Sequence, residues 1–483
     1  VGDVGVDALD RRAAMGRRVR QHADGFALLR RDLGHPRPLS RPRKRVVPRL
    51  GKTSLRPLPS SMSSIMDARE TTLAEAARLP RWRRPEALLV LMSVGMTLAF
   101  ATWTAALNNF AVEAADFDGF DIGALHMVRE IPGFLAFLVI WLVMLVREQS
   151  LALIALALLG FGTAIVADLP GWWGLMLTTF ISSVGFHYYE TVNQSLQLQW
   201  LDKARAPRAL GLIVAAGSGA SLVVYGALAI YGAFALVDYR LVYQVGGGAC
   251  LAVAFIAWAL YPRFRAPHPQ TAKFVLRGRY WLYYALVFMG GARRQIFVVF
   301  AAFMMVEKFG FRLHEVTALF LANYVAQMLF APYVGRLIGR HGERLALAAE
   351  YVGLVVVFGA YTGVYFLDWG MWVAMLLYVF DHLLFAMAFA QKTYFQKIAD
   401  PKDHAPTAAV AFTINHIAAV GLPAPLGLLW LAQPGWVYAI ASGMAGVSLL
   451  LALMVPRHPE PGRETVFAGL WARLTAPRPT PAE

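Results

Sequence analysis

Residues 85–107 read PEALLVLMSVGMTLAFATWTAAL, and after Glu86 no charged side chain interrupts the stretch. A helix needs about 20 consecutive apolar residues to cross the hydrocarbon core of a bilayer, so this stretch predicts a membrane-spanning helix. The whole chain shares this character, because 58% of its 483 residues are hydrophobic and only 16% are charged. A single soluble core stops growing near ~250–300 residues. The composition therefore indicates a membrane protein with many spans.

Apolar runs of this length recur up to about residue 457, and the breaks between them contain turn and helix-breaking residues. We predict twelve transmembrane helices and an all-α polytopic membrane protein. The predicted helix centres lie near Gly95, Phe134, Leu159, His187, Leu222, Leu251, Arg293, Leu329, Val357, Leu384, Val420 and Gly446.

Charge and hydropathy together divide the chain into six parts. These are a basic tail expected to be disordered (1–65), a basic juxtamembrane segment (66–84), a first six-helix bundle (85–262), a cytoplasmic linker (263–279), a second six-helix bundle (280–457) and a cytoplasmic tail (458–483).

The basic tail carries 15 Lys and Arg residues against 5 Asp. Such a segment is typical of a nucleic-acid arm, a membrane-surface patch or a disordered leader. A fourth interpretation is a misassigned start, because Met62 and Met66 directly precede the orderly sequence. We favour a misassigned start or a tail without function, and we expect no nucleic-acid partner.

The loops predict the orientation of the chain. The loops after even-numbered helices hold twelve Lys and Arg residues, and those after odd-numbered helices hold Arg240, Lys308 and Arg312. Because basic residues are retained on the cytoplasmic side, both termini are predicted to be cytoplasmic. We expect an integral protein of the inner (plasma) membrane.

An internal repeat relates the two bundles. A shift of 194 positions places Val112-Glu113 on Val306-Glu307 and Leu151-Ala-Leu153 on Leu345-Ala-Leu347. Further matches fall in order at nearly the same offset, so six helices recur in parallel as two halves.

Two six-helix halves with both ends inside and a long central loop resemble the major facilitator superfamily, although no subfamily is identified. Residues 335–344, GRLIGRHGER, are similar to the loop motif G-x-x-x-D-R-x-G-R-R of that family. Gly335, Arg340, Gly342 and Arg344 match, whereas Gly339 and Glu343 depart from the motif. The resemblance implies two bundles that rock about a central site, and it places gating at the four matching residues.

Arg129 and Glu130 in the second helix are further gating candidates. Their alternative interpretation is a structural pair, which we favour because breaking it leaves a lone charge in lipid.

Several ionisable side chains fall near the middle of predicted helices. Insertion of a charged side chain there costs at least ~2.5–3.5 kcal/mol, so such a residue persists when it is paired, hydrated or needed for function. The resemblance implies that the first, fourth, seventh and tenth helices line the central cavity. Three of these helices carry the deepest charged or titratable residues. These are His187, Glu190, Arg293, Arg294, Asp381 and His382.

Substrate contact is predicted for Arg293, Arg294, Trp103, Asn108 and Gln295. A guanidinium in the cavity binds an anionic solute well, because it is always charged and donates in a fork. Consecutive helical residues point about 100° apart, so only one of the two arginines faces a cavity squarely. The alternative is a buried Arg–Asp pair, with Asp381, that fixes helix packing.

Proton coupling is predicted for Glu190, His187, Asp381 and His382, because carboxyl and imidazole chains at membrane depth form proton relays. The alternatives are a hydrogen-bonded Glu190 and a polar contact between helices at Asp381 and His382. His416 in the eleventh helix is a weaker candidate.

We predict no metal, no cofactor and no catalytic residues. His187 and Glu190 share a helix face and could ligate a metal, but the sequence offers no second cluster at suitable spacing. The single cysteine, Cys250, excludes a multi-cysteine metal site. The sequence has no Walker A loop or nucleophile elbow.

The predicted function is proton symport of a small anionic organic solute by a monomeric secondary active transporter. Two alternatives stay open. One is an integral-membrane enzyme that acts on a lipid through His187 and Glu190 or through Asp381 and His382. The other is a transporter-like scaffold or sensor.

Overall fold

The computed structural model describes residues 70–201, 206–265, 276–400 and 403–468. The predicted basic tail, the start of the juxtamembrane segment, the centre of the linker and the end of the C-terminal tail lie outside the described residues. Eight helices in the described part are long and apolar enough to cross a membrane by length and composition. The remaining crossing segments are shorter, interrupted or less apolar.

The first half contains six segments. They are α1 (Pro85–Ala115), α2 (Gly119–Phe134, continued through a 3-10 turn at Leu135–Leu138 into Val139–Leu145), α3 (Glu148–Ala164), α4 (Trp172–Trp200), α5 (Ala206–Phe234) and α6 (Tyr239–Leu260). Local sequence explains the boundaries: Pro85 opens α1, and Asp118 with Asp121 forms a capping box at the start of α2.

The second half contains six more. They are α7 (Trp281–Ile296, a π-helical turn at Phe297–Ala301 and Ala302–Glu307), α8 (313–341) and α9 (343–366) within the helical stretch Leu313–Phe366, α10 (Met371–Phe385, a 3-10 turn at Ala386–Ala388 and Phe389–Ile398), α11 (His404–Gly421 and Pro423–Ala432) and α12 (Pro434–Leu453). The crossing segments in the described part thus number twelve, which confirms the all-α prediction.

Successive segments run in opposite directions, so the connections alternate between two faces of the bundle. The face at which α1 begins is called the terminal face here. There β1 (Glu70–Thr71), before α1, pairs in parallel with β2 (Arg263–Phe264), after α6. On the same face Arg277, before α7, forms an ion pair with Asp403, which precedes α11. The other side is called the opposite face.

The two halves pack together from the opposite face to the middle of the bundle. Asn109 at the end of α1 donates a 2.7 Å hydrogen bond to the carbonyl of Phe311, which precedes α8. Tyr324 of α8 donates to the hydroxyl of Ser221 on α5, at 3.2 Å. Toward the terminal face Leu212 of α5 and Tyr333 of α8 are exposed. The contacts described here therefore hold the halves together at the opposite face and as far as the middle of the bundle.

A cavity of about 450 Å³ lies along the terminal end of α8. Aromatic and basic side chains line it, including Tyr333, Arg336 and Arg340, and Met387 of α10 contributes to its wall. Two arginines, Arg336 and Arg340, thus lie along this cavity beside aromatic and aliphatic side chains.

Candidate functional site

Five polar residues from both halves meet near the middle of the bundle. We call them the central cluster: Arg129 and Glu130 of α2, His187 of α4, Arg294 of α7 and His416 of α11. From the sequence, Arg129 and Glu130 are predicted to act in gating, His187 in proton coupling and Arg294 in substrate contact, and His416 is a weaker candidate. The structure brings them together.

Glu130 joins the two halves. Its side chain is 2% exposed, and its Oε1 lies 3.2 Å from a guanidinium nitrogen of Arg129. Its Oε2 faces the other half, 3.5 Å from Nε2 of His416 and 3.7 Å from Nη2 of Arg294. The Arg129–Glu130 pair favoured from the sequence is thus present and extends across the interface.

Arg129 is held from both sides. Its guanidinium carbon lies 5.2 Å from the ring centroid of Trp103 and 5.6 Å from that of Phe100, which are cation–π distances. Its backbone carbonyl accepts a hydrogen bond from the hydroxyl of Ser183 on α4. Trp103, predicted to contact substrate, is buried in this arrangement and supports Arg129.

Both histidines direct Nδ1 toward a backbone carbonyl of their own helix. Nδ1 of His187 lies 3.0 Å from the carbonyl of Ser183, and Nδ1 of His416 lies 2.8 Å from that of Phe412. Their rings meet edge to face with centroids 5.2 Å apart. With Nδ1 against a carbonyl of its own helix, the Nε2 atom of His416 lies toward Glu130, 3.5 Å from its Oε2.

Glu130, His187 and His416 each offer a ligand atom, and these atoms lie within 4.8 Å of one another. The candidate metal-ligating pair His187 and Glu190 of the sequence analysis is therefore replaced by a triad from three helices. Two guanidinium groups contact the same carboxylate and repel a cation. The charge balance thus favours an ion-pair network over a metal centre.

The net charge of the central cluster is +1 when both histidines are neutral, since two arginines face one carboxylate. Arg294 is its most accessible ion-paired member, with 33% of its side chain exposed. An anionic group that contacts Arg294 would neutralise the surplus charge. The arrangement can therefore accommodate one anion.

Arg293, predicted to contact substrate, faces away from the central cluster into the second half. Its side chain is 4% exposed and lies 3.3 Å from Glu350 of α9 and 3.7 Å from Asp381 of α10. We call these three residues the buried triad. The alternative Arg–Asp pair of the sequence analysis is present, with a second carboxylate that the sequence analysis missed. The signal was one acidic residue, Glu350, inside the apolar run of α9.

Other predicted site residues lie outside the central cluster. Asn108 is buried, and its Oδ1 has no hydrogen-bond partner among the described residues. The Gln295 amide donates a 3.4 Å hydrogen bond to the carbonyl of Ala419, which ties α7 to α11. Glu190 is hydrogen-bonded to Gln194 one turn along α4. His382 packs near Phe297, with ring centroids 6.5 Å apart.

The predicted gating motif spans the connection between α8 and α9. Gly342 has φ 80° and ψ 170°, and this backbone conformation ends α8. Arg340 is exposed and lines the cavity, whereas Arg344 lies in the first turn of α9. Glu343, which departs from the motif, is buried and forms a 2.7 Å ion pair with Lys397 at the end of α10. Gly335 lies within α8.

The sequence matches the family model described as Major Facilitator Superfamily over residues 87–423. Among solved structures, a mutant form of the nucleoside transporter NupG is similar, with a TM-score of 0.64 and 14% identity over 77% of this chain and 99% of that chain. A bacterial homologue of the human lysosomal transporter Spinster, in an inward-facing and occupied conformation, has a TM-score of 0.59 and 15% identity. That match covers 82% of this chain and 98% of the other. No curated protein matches the sequence. These likenesses confirm the predicted fold of twelve helices in two bundles.

Proposed function

This chain belongs to the major facilitator superfamily, and from this premise we propose that it is a secondary active transporter for a small anionic organic solute. We propose that it works by symport with protons and by alternating access. Two parallel halves that meet at a midplane site are the arrangement on which such rocking depends. Family membership favours transport over the alternative of a lipid-modifying enzyme.

The central cluster carries the proposal. Its single surplus positive charge lies where the halves meet, and an unpaired charge in a low-dielectric interior is costly. A solute carboxylate or phosphate group relieves that cost by pairing with the guanidinium of Arg294. A neutral solute does not neutralise this surplus charge.

The same contacts suggest how solute binding affects the halves. Arg294 is attached to the second half and Glu130 to the first, and their side chains are 3.7 Å apart. A solute anion at Arg294 competes with Glu130 for the same guanidinium. Binding therefore weakens one ionic link between the halves and allows the closed opposite face to open.

We further propose the inner membrane as the location, with the terminal face cytoplasmic and the protein monomeric. The excess of basic residues in the loops of that face supports this orientation. In this orientation the cavity along α8 opens to the cytoplasm.

The test is uptake of small carboxylates and phosphate esters into liposomes that contain the purified protein, with and without an imposed pH gradient. Arg294→Gln is expected to lower uptake of the transported anion at least roughly tenfold, because removal of a charged partner costs more than ~1.4 kcal/mol. Arg240→Gln is the matched control, since Arg240 is exposed and pairs with Asp168 away from the site. Uptake that is equal in wild type and Arg294→Gln, or that is confined to neutral solutes, contradicts the proposal.

A further inference from the structure

The buried triad is unusual because its charges do not cancel. Arg293 is the one cation that the described residues place within ion-pair distance of Glu350 and Asp381. A guanidinium stays protonated in proteins, so two ionised carboxylates leave the triad with a net charge of −1. The Glu350 side chain has no measurable exposure and that of Asp381 is 1% exposed, so water cannot compensate this charge.

Hydrogen bonding does not compensate the charge either. In the described part of the chain, no oxygen of either carboxyl group has a hydrogen-bond partner. A buried charge without hydrogen bonds costs several kcal/mol. A single proton on either carboxyl group removes the surplus charge and supplies one O–H donor.

The remaining titratable neighbours do not change this balance. Tyrosines from three elements lie around the two carboxyl groups, and His382 follows Asp381 directly on α10. The tyrosines are Tyr351 and Tyr361 of α9, Tyr378 of α10 and Tyr438 of α12. Neutral phenols add no charge, and Arg294, on the other side of α7, is directed to the central cluster.

We propose that Glu350 and Asp381 together form the proton-binding site of this transporter, with Arg293 as the fixed counter-charge. The inference rests on the proposed function for its role in transport. One carboxylate takes up one proton to become a carboxylic acid, and no other bond changes. Of the four residues predicted for proton coupling, only Asp381 belongs to this site, and its acidic partner is Glu350, which was not predicted.

The two arginines connect this proton site to the solute site. Arg293 and Arg294 are adjacent on α7, one in the buried triad and the other in the central cluster. The π-helical turn Phe297–Ala301 begins three residues later. Such turns often mark functional sites in helices. Protonation that releases one carboxylate from Arg293 therefore acts on the helix segment that holds Arg294.

The test is infrared difference spectroscopy of the purified protein in lipid during a pH titration, which detects the carbonyl stretch of a protonated carboxyl group. We expect the wild type to show one such pH-dependent band. Both Glu350→Gln and Asp381→Asn are expected to abolish it, because each leaves one carboxylate balanced by Arg293. Glu343→Gln is the matched control, since Glu343 is buried but balanced by Lys397, and the band is expected to persist.

A band that survives in both variants, or that disappears in Glu190→Gln, overturns the proposal. Both triad variants keep the shape of the side chain, and folding is checked by thermal unfolding. If one variant does not fold, the other decides, because either substitution removes the surplus charge. The titration needs no solute, so a failure of anion uptake overturns the proposed function and leaves this result standing.

Discussion

At the level of single residues, the same side chain has different consequences according to what surrounds it. Arg293 and Arg294 are neighbours of identical chemistry, yet their side chains are 4% and 33% exposed. Helical geometry turns one toward the interior of the second half and the other toward the first half. Only Arg294 keeps a substantial part of its side chain accessible.

A third arginine, Arg277, provides a pH-dependent prediction on the terminal face. It forms two contacts with the carboxylate of Asp403, at 2.6 and 2.8 Å, and Tyr280 donates a 3.0 Å hydrogen bond to the same group. The hydrogen bond from Arg277 lowers the pKa of Asp403 below its ordinary value. The pair therefore stabilises the folded protein above the pKa of aspartate in the unfolded chain, and this stability is lost as the pH falls through the lowered pKa.

We expect Arg277→Gln to lower the thermal unfolding temperature at neutral pH. The difference from wild type is expected to shrink as the solution is acidified below pH ~4. Thermal unfolding of the purified protein, followed by tryptophan fluorescence at several pH values, measures it. Arg240→Gln, which removes an exposed pair, should change little. A pH-independent loss in Arg277→Gln would argue against the ionic contribution of Asp403.

At the level of helices, the connection between α8 and α9 depends on one backbone conformation. Gly342 has φ 80° and ψ 170°, a backbone conformation that residues other than glycine avoid. The turn places Glu343 where it forms its ion pair with Lys397. The glycine of the loop motif is thus explained by geometry.

Gly342→Ala is expected to destabilise the protein by about 1–3 kcal/mol because of backbone strain. Gly339→Ala is the control, since Gly339 lies in α8 and an added Cβ there meets no atom within 4 Å. That substitution should be neutral or gain about 0.5–1 kcal/mol. Chemical denaturation of the two variants measures the difference. Equal stability would show that the turn tolerates a side chain.

At the level of the whole molecule, the closed opposite face depends on close backbone packing between the halves. An added Cβ at Gly123 of α2 would collide with the carbonyl oxygen of Pro423 in α11. Interfaces between membrane helices use such small residues because they let backbones approach. The closed arrangement is therefore sensitive to one methyl group.

We expect Gly123→Ala to shift the population away from the closed opposite face. Spin labels at Leu169 and Leu367, two exposed residues in connections of that face, report the separation of the halves. Their distance distribution is expected to move to longer values in Gly123→Ala. It should stay unchanged in Gly226→Ala, where an added Cβ meets no atom within 4 Å. Identical distributions in all three proteins would exclude this role for Gly123.

Much of the fold was predictable because hydropathy acts locally along the chain. Each apolar run must bury its backbone in a helix to cross lipid, so run length and spacing predicted twelve segments. The offset between Val112-Glu113 and Val306-Glu307 indicated two related halves. The positions of Arg294, His187 and Asp381 near the middle of predicted helices also marked them as candidate site residues.

The pairing of these charges was decided only by the tertiary structure. Ion-pair partners are set by distances between helices far apart in sequence, as for Glu130 with Arg294 and for Arg293 with Glu350. Hydropathy shows that a charge lies deep in the membrane, but it does not show which neighbour compensates it. For that reason the sequence determined the spans and the depth of the charges. Helix packing determined which arginine contacts the other half and which carboxylates share a cation.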